Sequence, residues 1–169
     1  MQTGIGFDAH KLVPGIDLML GGVLIDHPFG LEGHSDGDVL LHAISDALLG
    51  AASMGDIGRY FPSTSSRLKS IPSSDILIQT VNMIKDSNYD PCFIDSTIIA
   101  QSPILKDYIP KMEKIISSLT YISVGKINIK ATTTDYLGYI GREEGIAAMA
   151  IATIKKSNWW NYTILYQES

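Results

Sequence analysis

The residues best suited to chemistry are histidines and carboxylates in the first quarter of the chain. Asp8 and His10 are two positions apart, and on a strand this spacing places both side chains on one face. His42 follows in a helical pattern, and packing of that helix on the strand would bring the three side chains together. Two imidazoles and a carboxylate suit a divalent metal, zinc foremost, with a fourth position open for a phosphate oxygen. A strand-end carboxylate with unrelated surface histidines fits the same spacing, so the pattern alone leaves both interpretations open.

Two further carboxylates flank His42 on its own helix. Asp38 lies four residues before it and Asp46 four residues after it, so both share its helical face. Either could accept a hydrogen bond from the imidazole nitrogen that does not face the metal. Asp46 is the stronger candidate, because apolar residues surround it, whereas Asp38 is equally consistent with a solvated helix charge.

A second group of residues has the character of a phosphate site. His34 and Ser35 precede the first predicted helix, where free N–H groups favour an anion. Ser35 is also the predicted N-cap, with Asp38 at the capping-box position. Hydroxyls at 132–134 follow a predicted strand, and the adjacent Asp135 could hold a hard cation such as Mg²⁺ beside substrate phosphates. A threonine-rich strand end with an exposed carboxylate explains the same residues.

Composition limits the class of protein that carries these groups. The chain has 169 residues, of which 45% are hydrophobic and 18% charged, with a net charge of −5. One globular domain is expected, and disorder and a broad nucleic-acid footprint are disfavoured. The single Cys92 permits no internal disulfide, and we expect a cytoplasmic protein. No signal-peptide pattern is visible, and the most apolar stretch, 145–154, is too short to span a membrane.

Local patterns predict the elements that position these residues. Residues 3–12 are punctuated by glycine and start with a strand-like pattern. Strands are predicted over 18–20 and 23–25 around Gly21 and Gly22, over 93–100 and over 126–132. Helices are predicted over 36–52, 74–87 and 106–119, and residues 53–72 are expected to form a loop with short turns. Periodicity leaves 145–155 open between helix and strand.

The motifs taken together occur in a recognisable order. They are Gly6-Phe7-Asp8-Ala9-His10, His34-Ser35-Asp36-Gly37-Asp38, His42, Gly55-Asp56-Ile57-Gly58, Phe61-Pro62 and Ala131-Thr132-Thr133-Thr134. In this order they closely resemble the 2-C-methyl-D-erythritol 2,4-cyclodiphosphate synthase family, over roughly residues 3–156.

The resemblance implies an α/β (α+β) fold, with a mixed four-stranded sheet, helices on one face and a homotrimer around a central cavity. It implies a strand over 145–155, a synthase domain over 1–157 and a separate C-terminal tail over 158–169. Active sites would lie at the subunit interfaces of the trimer. No membrane or nucleic-acid partner is expected.

The implied activity is that of a phosphorus–oxygen lyase of the non-mevalonate isoprenoid pathway. The substrate would be 4-diphosphocytidyl-2-C-methyl-D-erythritol 2-phosphate, whose 2-phosphate attacks the β-phosphorus and releases CMP. A phosphate with its second pKa near ~6 is already anionic at neutral pH, so no general base is required. The resemblance implies Zn²⁺ on Asp8, His10 and His42, and Mg²⁺ or Mn²⁺ on Asp135.

By the same resemblance, His34 and Thr133 are the catalytic residues that stabilise the transition state. The resemblance and the residue chemistry together predict a substrate-binding set: Asp8, Ala9, His10, His34, Ser35, Asp56, Ile57, Gly58, Phe61, Pro62, Ser63, Thr64, Ser65, Ala100, Pro103, Ile104, Leu105, Lys106, Ala131, Thr132, Thr133, Thr134, Asp135, Tyr139 and Arg142. Within it, residues 100–106 would form the cytidine loop.

The sequence departs from the family pattern at three places. Asp135 replaces the usual magnesium-binding glutamate, which is one methylene longer. Ile104 occupies a place often held by lysine, and Lys106 lies two positions further on. The tail past Asn158, which contains two tryptophans, has no clear counterpart.

Two other classes of function remain open at this stage. A zinc hydrolase would need a general base such as glutamate beside the metal, and no glutamate lies near Asp8, His10 or His42 in the sequence. A non-catalytic trimeric binding protein would bind apolar diphosphates in its central cavity, with Arg142 and Glu144 as contacts. Loss of a zinc ligand would favour that second class, and all three ligands are present.

Overall fold

The computed structural model describes residues 1–62 and 71–157. The strands are β1 (Gln2–Pro14), β2 (Leu18–Leu20), β3 (Val23–Ile25), β4 (Phe29–Leu31), β5 (Tyr89–Ile99), β6 (Ile127–Thr132) and β7 (Gly145–Lys156). The helices are α1 (Val39–Ala51), α2 (Ile57–Tyr60), α3 (Ser73–Asp86), α4 (Ile109–Thr120) and α5 (Gly138–Gly141), with a 3₁₀ turn at Val124–Lys126.

The main sheet has five strands in the order β4-β1-β7-β5-β6, and β2 and β3 form a separate hairpin. Strands β5 and β6 are parallel, whereas β1–β4, β1–β7 and β5–β7 are antiparallel. The expectation of four strands was therefore wrong. The pairing of β1 with β7 ends at Lys11, and the last residues of β1, Leu12–Pro14, pair with β4. Sequence patterns did not indicate this three-residue strand.

Helix α1 is the centre of the core. It packs against β1 and β7 on one side and against α3 on the other. Nearly all of its residues are buried, as an apolar surface on every side requires. The helix lies close to β1 because Gly4 and Gly6 have no side chain. A Cβ on Gly6 would overlap the carbonyl oxygen of Ala43, so these glycines bring His42 close to the strand that carries Asp8 and His10.

Most predicted elements are confirmed, including the hairpin strands 18–20 and 23–25 and the strand at the C-terminal end of the described chain. The predicted start of the first helix was wrong. The helix begins at Val39, and its N-cap is Asp38 rather than Ser35. Gly37 has a φ of +71°, which cannot belong to a right-handed helix. The Asp38 carboxylate instead accepts hydrogen bonds from the N–H groups of Leu40 and Leu41.

Most of the sheet face opposite α1 is exposed in the single chain. Large apolar side chains lie exposed on its three central strands: Ile5, Phe7, Phe93, Met149 and Ile151. The long helices α1, α3 and α4 lie on one face, as expected, whereas the short helix α5 lies against the other face, where Tyr139 and Ile140 line a cavity with Phe7 and Ala147. Among those residues, no helix combines the length and the apolar character needed to cross a bilayer.

Candidate functional site

Asp8, His10 and His42 form a compact cluster at the contact between β1 and α1. The Asp8 carboxylate oxygen Oδ2 lies 2.9 Å from His10 Nε2 and 2.9 Å from His42 Nδ1. One ligand atom from each residue lies within 4.8 Å of the other two. The period-two spacing on the strand and the predicted packing of the helix are both confirmed.

The second nitrogen of His10 is held by the backbone. His10 Nδ1 lies 2.5 Å from the carbonyl oxygen of Glu32. Because a carbonyl oxygen only accepts, Nδ1 carries the proton of the neutral ring, and Nε2 presents its lone pair toward Asp8.

The second nitrogen of His42 contacts neither of the carboxylates that sequence spacing suggested. His42 Nε2 lies 2.9 Å from Ser73 Oγ and 3.1 Å from Ser35 Oγ. Asp38 is buried and also accepts from the N–H groups of Gly21 and Gly22, so it secures the β2–β3 turn. Asp46 accepts from the N–H of Ile57 and secures the start of α2. Both carboxylates are used by backbone groups that the helical spacing could not reveal.

The electrostatics of the cluster favour a cation. Burial opposes ionisation of Asp8, but hydrogen bonds with His10 and His42 outweigh it and hold the pKa of Asp8 well below its ordinary value. The hydrogen bond with Asp8 raises the pKa of His10, against the opposing effect of burial. The site therefore stabilises positive charge between these side chains, and a divalent ion would replace the proton that His10 otherwise takes.

The donor set fits a metal on these grounds. One carboxylate and two imidazoles converge, and the outer contact of His10 leaves its inner nitrogen free to donate a lone pair. Three protein ligands would leave further positions on a bound divalent ion open to substrate or water. The structure thus contains a candidate metal site, and the donor types favour zinc over a hard, oxygen-preferring ion.

A cavity of about 410 Å³ lies at the far side of the sheet. It is lined by eight of the predicted substrate-binding residues together with Gln101 and Ile109; the eight are Ala100, Pro103, Ile104, Leu105, Lys106, Ala131, Thr132 and Thr133. The loop that lines it includes a cis Ser102–Pro103 peptide bond. A predominantly apolar wall with backbone groups at the ends of β5 and β6 suits a planar heterocycle.

The cluster of Asp8, His10 and His42, called the metal cluster below, is separated from this cavity by the width of several strands. In the strand registers Asp8 lies opposite Ala148, Ala148 opposite Ile98, and Ile98 opposite Ala131. Three strand spacings separate Asp8 from Ala131, a distance of about 14 Å. Residues of the metal cluster do not line the 410 Å³ cavity.

The segment after β6 presents its polar groups to solvent. Thr133 and Asp135 are exposed, and the Thr133 hydroxyl donates to the Asp135 carboxylate at 3.4 Å. The Thr134 hydroxyl donates to the carbonyl oxygen of Leu137. Asp135 has a positive φ of 49°, which turns the chain at this point. An exposed carboxylate beside hydroxyls fits a magnesium ion that takes its remaining ligands from phosphates and water.

Tyr139 and Arg142 lie nearer the metal cluster. Tyr139 lines a cavity of about 360 Å³ with Ala9 and His10, and a second cavity with Thr134. Arg142 is exposed and forms a two-pronged ion pair with Glu144, at 2.8 and 3.1 Å. A phosphate would have to compete with this carboxylate for the guanidinium.

The remaining predicted residues lie in loops and a short helix near α1. His34 is exposed between β4 and α1, next to Ser35. Asp56 is the N-cap of α2 and accepts from the N–H of Arg59. That short helix, which the sequence reading treated as loop, contains Ile57 and Gly58 and is followed by Phe61 and Pro62. The predicted contacts at Ser63, Thr64 and Ser65, and the tail 158–169, lie outside the described residues.

Three residues at the metal cluster were absent from the predicted site: Glu32, Asp36 and Ser73. Glu32 contributes only a backbone carbonyl, which any residue type supplies. Asp36 lies at the predicted start of the first helix, and Ser73 falls between the loop predicted over 53–72 and the helix predicted over 74–87. No local signal marks Ser73, because it is 31 positions from His42 in sequence.

Comparison with known proteins finds a family match over most of the chain. Residues 1–155 match the YgbB family. A curated relative from Agathobacter rectalis, named 2-C-methyl-D-erythritol 2,4-cyclodiphosphate synthase, is 51% identical over 154 residues, covering 91% of this chain and 87% of its own.

Two solved structures are similar throughout the described fold. The bifunctional IspDF of Campylobacter jejuni is 41% identical with a TM-score of 0.90; the match covers 94% of this chain and 43% of that longer chain. The CDP complex of IspF from Plasmodium falciparum is 32% identical with a TM-score of 0.81, covering 93% and 97% of the two chains.

Proposed function

The chain belongs to the YgbB family and has the 2-C-methyl-D-erythritol 2,4-cyclodiphosphate synthase activity of its relatives, and we propose that Asp8, His10 and His42 hold zinc for this reaction. It is a lyase of isoprenoid biosynthesis that acts on a small-molecule nucleotide substrate. The convergence of three ligand atoms within 4.8 Å of one another carries the proposal for the metal.

The proposed chemistry is an intramolecular phosphoryl transfer. An oxygen of the substrate's 2-phosphate forms a bond to the β-phosphorus, the bond between that phosphorus and the bridging oxygen breaks, and CMP leaves with the electron pair. The nucleophile is anionic at neutral pH, so the protein need not remove a proton. Its task is to align the two phosphates and offset their repulsion.

We assign the parts of the substrate to the residues as follows. The cavity beside Ala100 and Ala131 takes the cytidine, and its apolar wall excludes water from the base. The exposed hydroxyl of Thr133 and the imidazole of His34 contact the reacting phosphates as charge develops. Asp56 and the exposed backbone around Gly58 contact the erythritol hydroxyls.

Asp8, His10 and His42 would hold zinc with their ligand atoms already in place before substrate arrives, and Asp135 would hold Mg²⁺ or Mn²⁺ with the help of the substrate's phosphates. When bound, these ions would supply the positive charge that neutralises phosphate oxygens. Asp135 is one methylene shorter than glutamate, so it would reach such an ion through water.

We further propose a homotrimer in which each site is shared between subunits. Exposed apolar side chains on the open sheet face, including Phe7, Phe93 and Ile151, provide a surface suited to burial against identical chains. The separation of about 14 Å between Asp8 and Ala131 also supports a shared site. An arrangement with sheets facing inward would place the nucleotide cavity of one subunit beside the metal cluster of the next.

The C-terminal boundary of the domain at 157 and a cytoplasmic location remain predictions. The family match ends at residue 155, close to the proposed boundary. Fluorescence microscopy of a tagged chain, expressed in its own host, checks the location.

The direct test of the activity is to incubate the purified full chain with 4-diphosphocytidyl-2-C-methyl-D-erythritol 2-phosphate, Zn²⁺ and Mg²⁺. We expect CMP and the cyclic diphosphate in equal amounts by ³¹P NMR. Release of inorganic phosphate, or of CMP with a linear diphosphate, would instead indicate hydrolysis. A control with chelated metal separates the requirement for an ion from the requirement for the protein.

A further inference from the structure

Ser73, the first residue of α3, makes a set of contacts that helix formation does not explain. Its side chain is fully buried, and it does not cap the helix, whose N-terminus lacks a side-chain cap. The hydroxyl oxygen lies 2.9 Å from His42 Nε2 and 3.1 Å from Ser35 Oγ, and the hydroxyl donates to the Asp36 carboxylate. The backbone N–H of Ser73 also donates to Asp36, at 3.2 Å.

The single hydroxyl hydrogen of Ser73 determines the direction of these bonds. A carboxylate only accepts, so the hydrogen of Ser73 points to Asp36. Toward His42 the oxygen of Ser73 must then accept, which requires a proton on His42 Nε2. With that proton on Nε2, the neutral ring directs the lone pair of Nδ1 at the Asp8 carboxylate, 2.9 Å away, and these two acceptor atoms need a cation between them.

Ser35 cannot determine the tautomer of His42 in the same way. Its hydroxyl accepts from the N–H of Gly37 but retains a hydrogen that can point to either His42 or Ser73. Of the two hydroxyls at His42 Nε2, only that of Ser73 has its hydrogen directed by a carboxylate. The Asp36 charge further strengthens this bond, because charge-assisted hydrogen bonds are about twice as strong as neutral ones.

We propose that Ser73 and Asp36 are positioning residues of the metal centre, in which the Asp36 carboxylate, acting through the Ser73 hydroxyl, keeps His42 in the tautomer whose Nδ1 binds the metal. This inference rests on the proposed zinc site and adds to it a relay from outside the ligand set. The two imidazoles are thus oriented differently, since His10 uses the backbone carbonyl of Glu32 directly.

The metal-binding test compares Ser73→Ala with Thr80→Val in the full chain. Thr80 is a buried hydroxyl on the same helix with no hydrogen-bond partner among the described residues, so its replacement controls for loss of a buried hydroxyl. We expect Ser73→Ala to weaken Zn²⁺ binding by about 10- to 100-fold in competition with a chromophoric chelator. Thr80→Val is expected to bind Zn²⁺ as the unmodified chain does.

The tautomer is measured by ¹⁵N NMR of the histidine rings in the metal-free Asp8→Ala chain, at a pH where the imidazoles are neutral, because this change removes the carboxylate that otherwise competes for a proton on His42 Nδ1. We expect Asp8→Ala to hold the proton of His42 on Nε2, and the additional change Ser73→Ala or Asp36→Asn to give a mixture of tautomers. A proton on Nδ1 of His42 in the Asp8→Ala chain would overturn the proposal. This measurement also decides the matter if Ser73→Ala does not fold.

Measuring Zn²⁺ binding by His42→Ala alongside these variants separates the positioning role of Ser73 from the proposed metal site on which it rests. If the unmodified chain binds Zn²⁺ no better than His42→Ala, the metal site itself is wrong. If His42→Ala loses Zn²⁺ while Ser73→Ala keeps full affinity, the metal site stands and the positioning role is rejected.

Discussion

The cluster of Asp8, His10 and His42 is enclosed by the core of the chain, whereas the cavity proposed to take the nucleotide is open to solvent. The cluster lies between a strand and a buried helix, and each of its imidazoles is held by a hydrogen bond on its outer nitrogen. The cavity lies at the ends of β5 and β6, where Ile104 is 88% exposed and Thr132 and Thr133 face solvent.

The difference indicates which half of the site is complete within one chain. A metal needs ligand atoms placed before it binds, and the tertiary core of one chain supplies that placement. A nucleotide is held by an enclosing surface, which the open cavity of one chain does not provide. We therefore expect changes at the cluster to alter metal binding in the same subunit. Changes at the cavity are expected to lower the activity of the site that the neighbouring subunit's cluster completes.

The largest effect is expected from His42→Ala. Removing one of three ligands should abolish stoichiometric zinc and lower activity by at least about 1000-fold, equivalent to about 4 kcal/mol in the barrier. The fold should persist, because many other residues of α1 remain buried. Elemental analysis, circular dichroism and product assays check this, and stoichiometric zinc in the variant would reject the ligand assignment.

Mixed trimers test the separation of the two halves. Ala131→Trp should fill the nucleotide cavity while leaving the metal ligands intact, and His42→Ala does the reverse. In a randomly assembled population of the proposed trimers about one quarter of the shared sites would combine two intact halves, and in trimers that contain both variants about one third would do so. Co-expressed, differentially tagged chains should recover activity to that level.

Each single variant, purified alone, is the control for that recovery. If verified mixed trimers are no more active than these controls, each site lies within one chain, and the contrast between the two regions does not reflect subunit boundaries.

Gly6→Ala tests whether the close packing of α1 on β1 preorganises the cluster. The added Cβ would overlap the backbone of α1 at Ala43, so the helix must shift. We expect a loss of about 1–3 kcal/mol in unfolding free energy and Zn²⁺ binding weakened by about 10- to 100-fold. Gly125→Ala is the matched control, because a Cβ there meets nothing within 4 Å; equal effects of both substitutions would contradict this account.

The pH dependence of metal binding tests the charge of the cluster. Hydrogen bonding to Asp8 raises the pKa of His10 above its ordinary value of 6.5. Below that raised pKa a proton occupies the nitrogen that binds the metal, so Zn²⁺ affinity should be full above it and fall by about tenfold per pH unit below it. Calorimetric titrations at several pH values measure the trend, and an affinity independent of pH between 5 and 8 would contradict it.

The smallest effect is expected at Asp135, which lies exposed in the segment after β6. Asp135→Glu should keep or raise activity and tighten the dependence on Mg²⁺, because the longer side chain reaches an ion that aspartate meets through water. Activity measured over a Mg²⁺ series provides the test, with Asp90→Glu as a control away from this segment. A loss above ~100-fold, about 2.7 kcal/mol in the barrier, would show that the shorter carboxylate fits its own geometry.

The sequence predicted those features that depend on local spacing. The two-residue spacing of Asp8 and His10 placed them on one face of a strand, and the hairpin at Gly21-Gly22 was predicted to the residue. Ordered motifs identified the family, which the comparison then confirmed. The strand over 145–155 followed from that resemblance and not from periodicity, since its small and β-branched residues suit both structures.

Only the tertiary structure decided which groups complete the cluster. Asp38 and Asp46 share the helical face of His42, yet both carboxylates accept from backbone N–H groups outside α1. Asp38 accepts from Gly21 in the β2–β3 turn, and Asp46 accepts from Ile57 at the start of α2. Ser73 takes their expected place, although 31 residues separate it from His42. The physical reason is that helical and strand periods specify the direction of a side chain relative to its own element. The partner it meets is determined by the packing of elements that are remote in the chain.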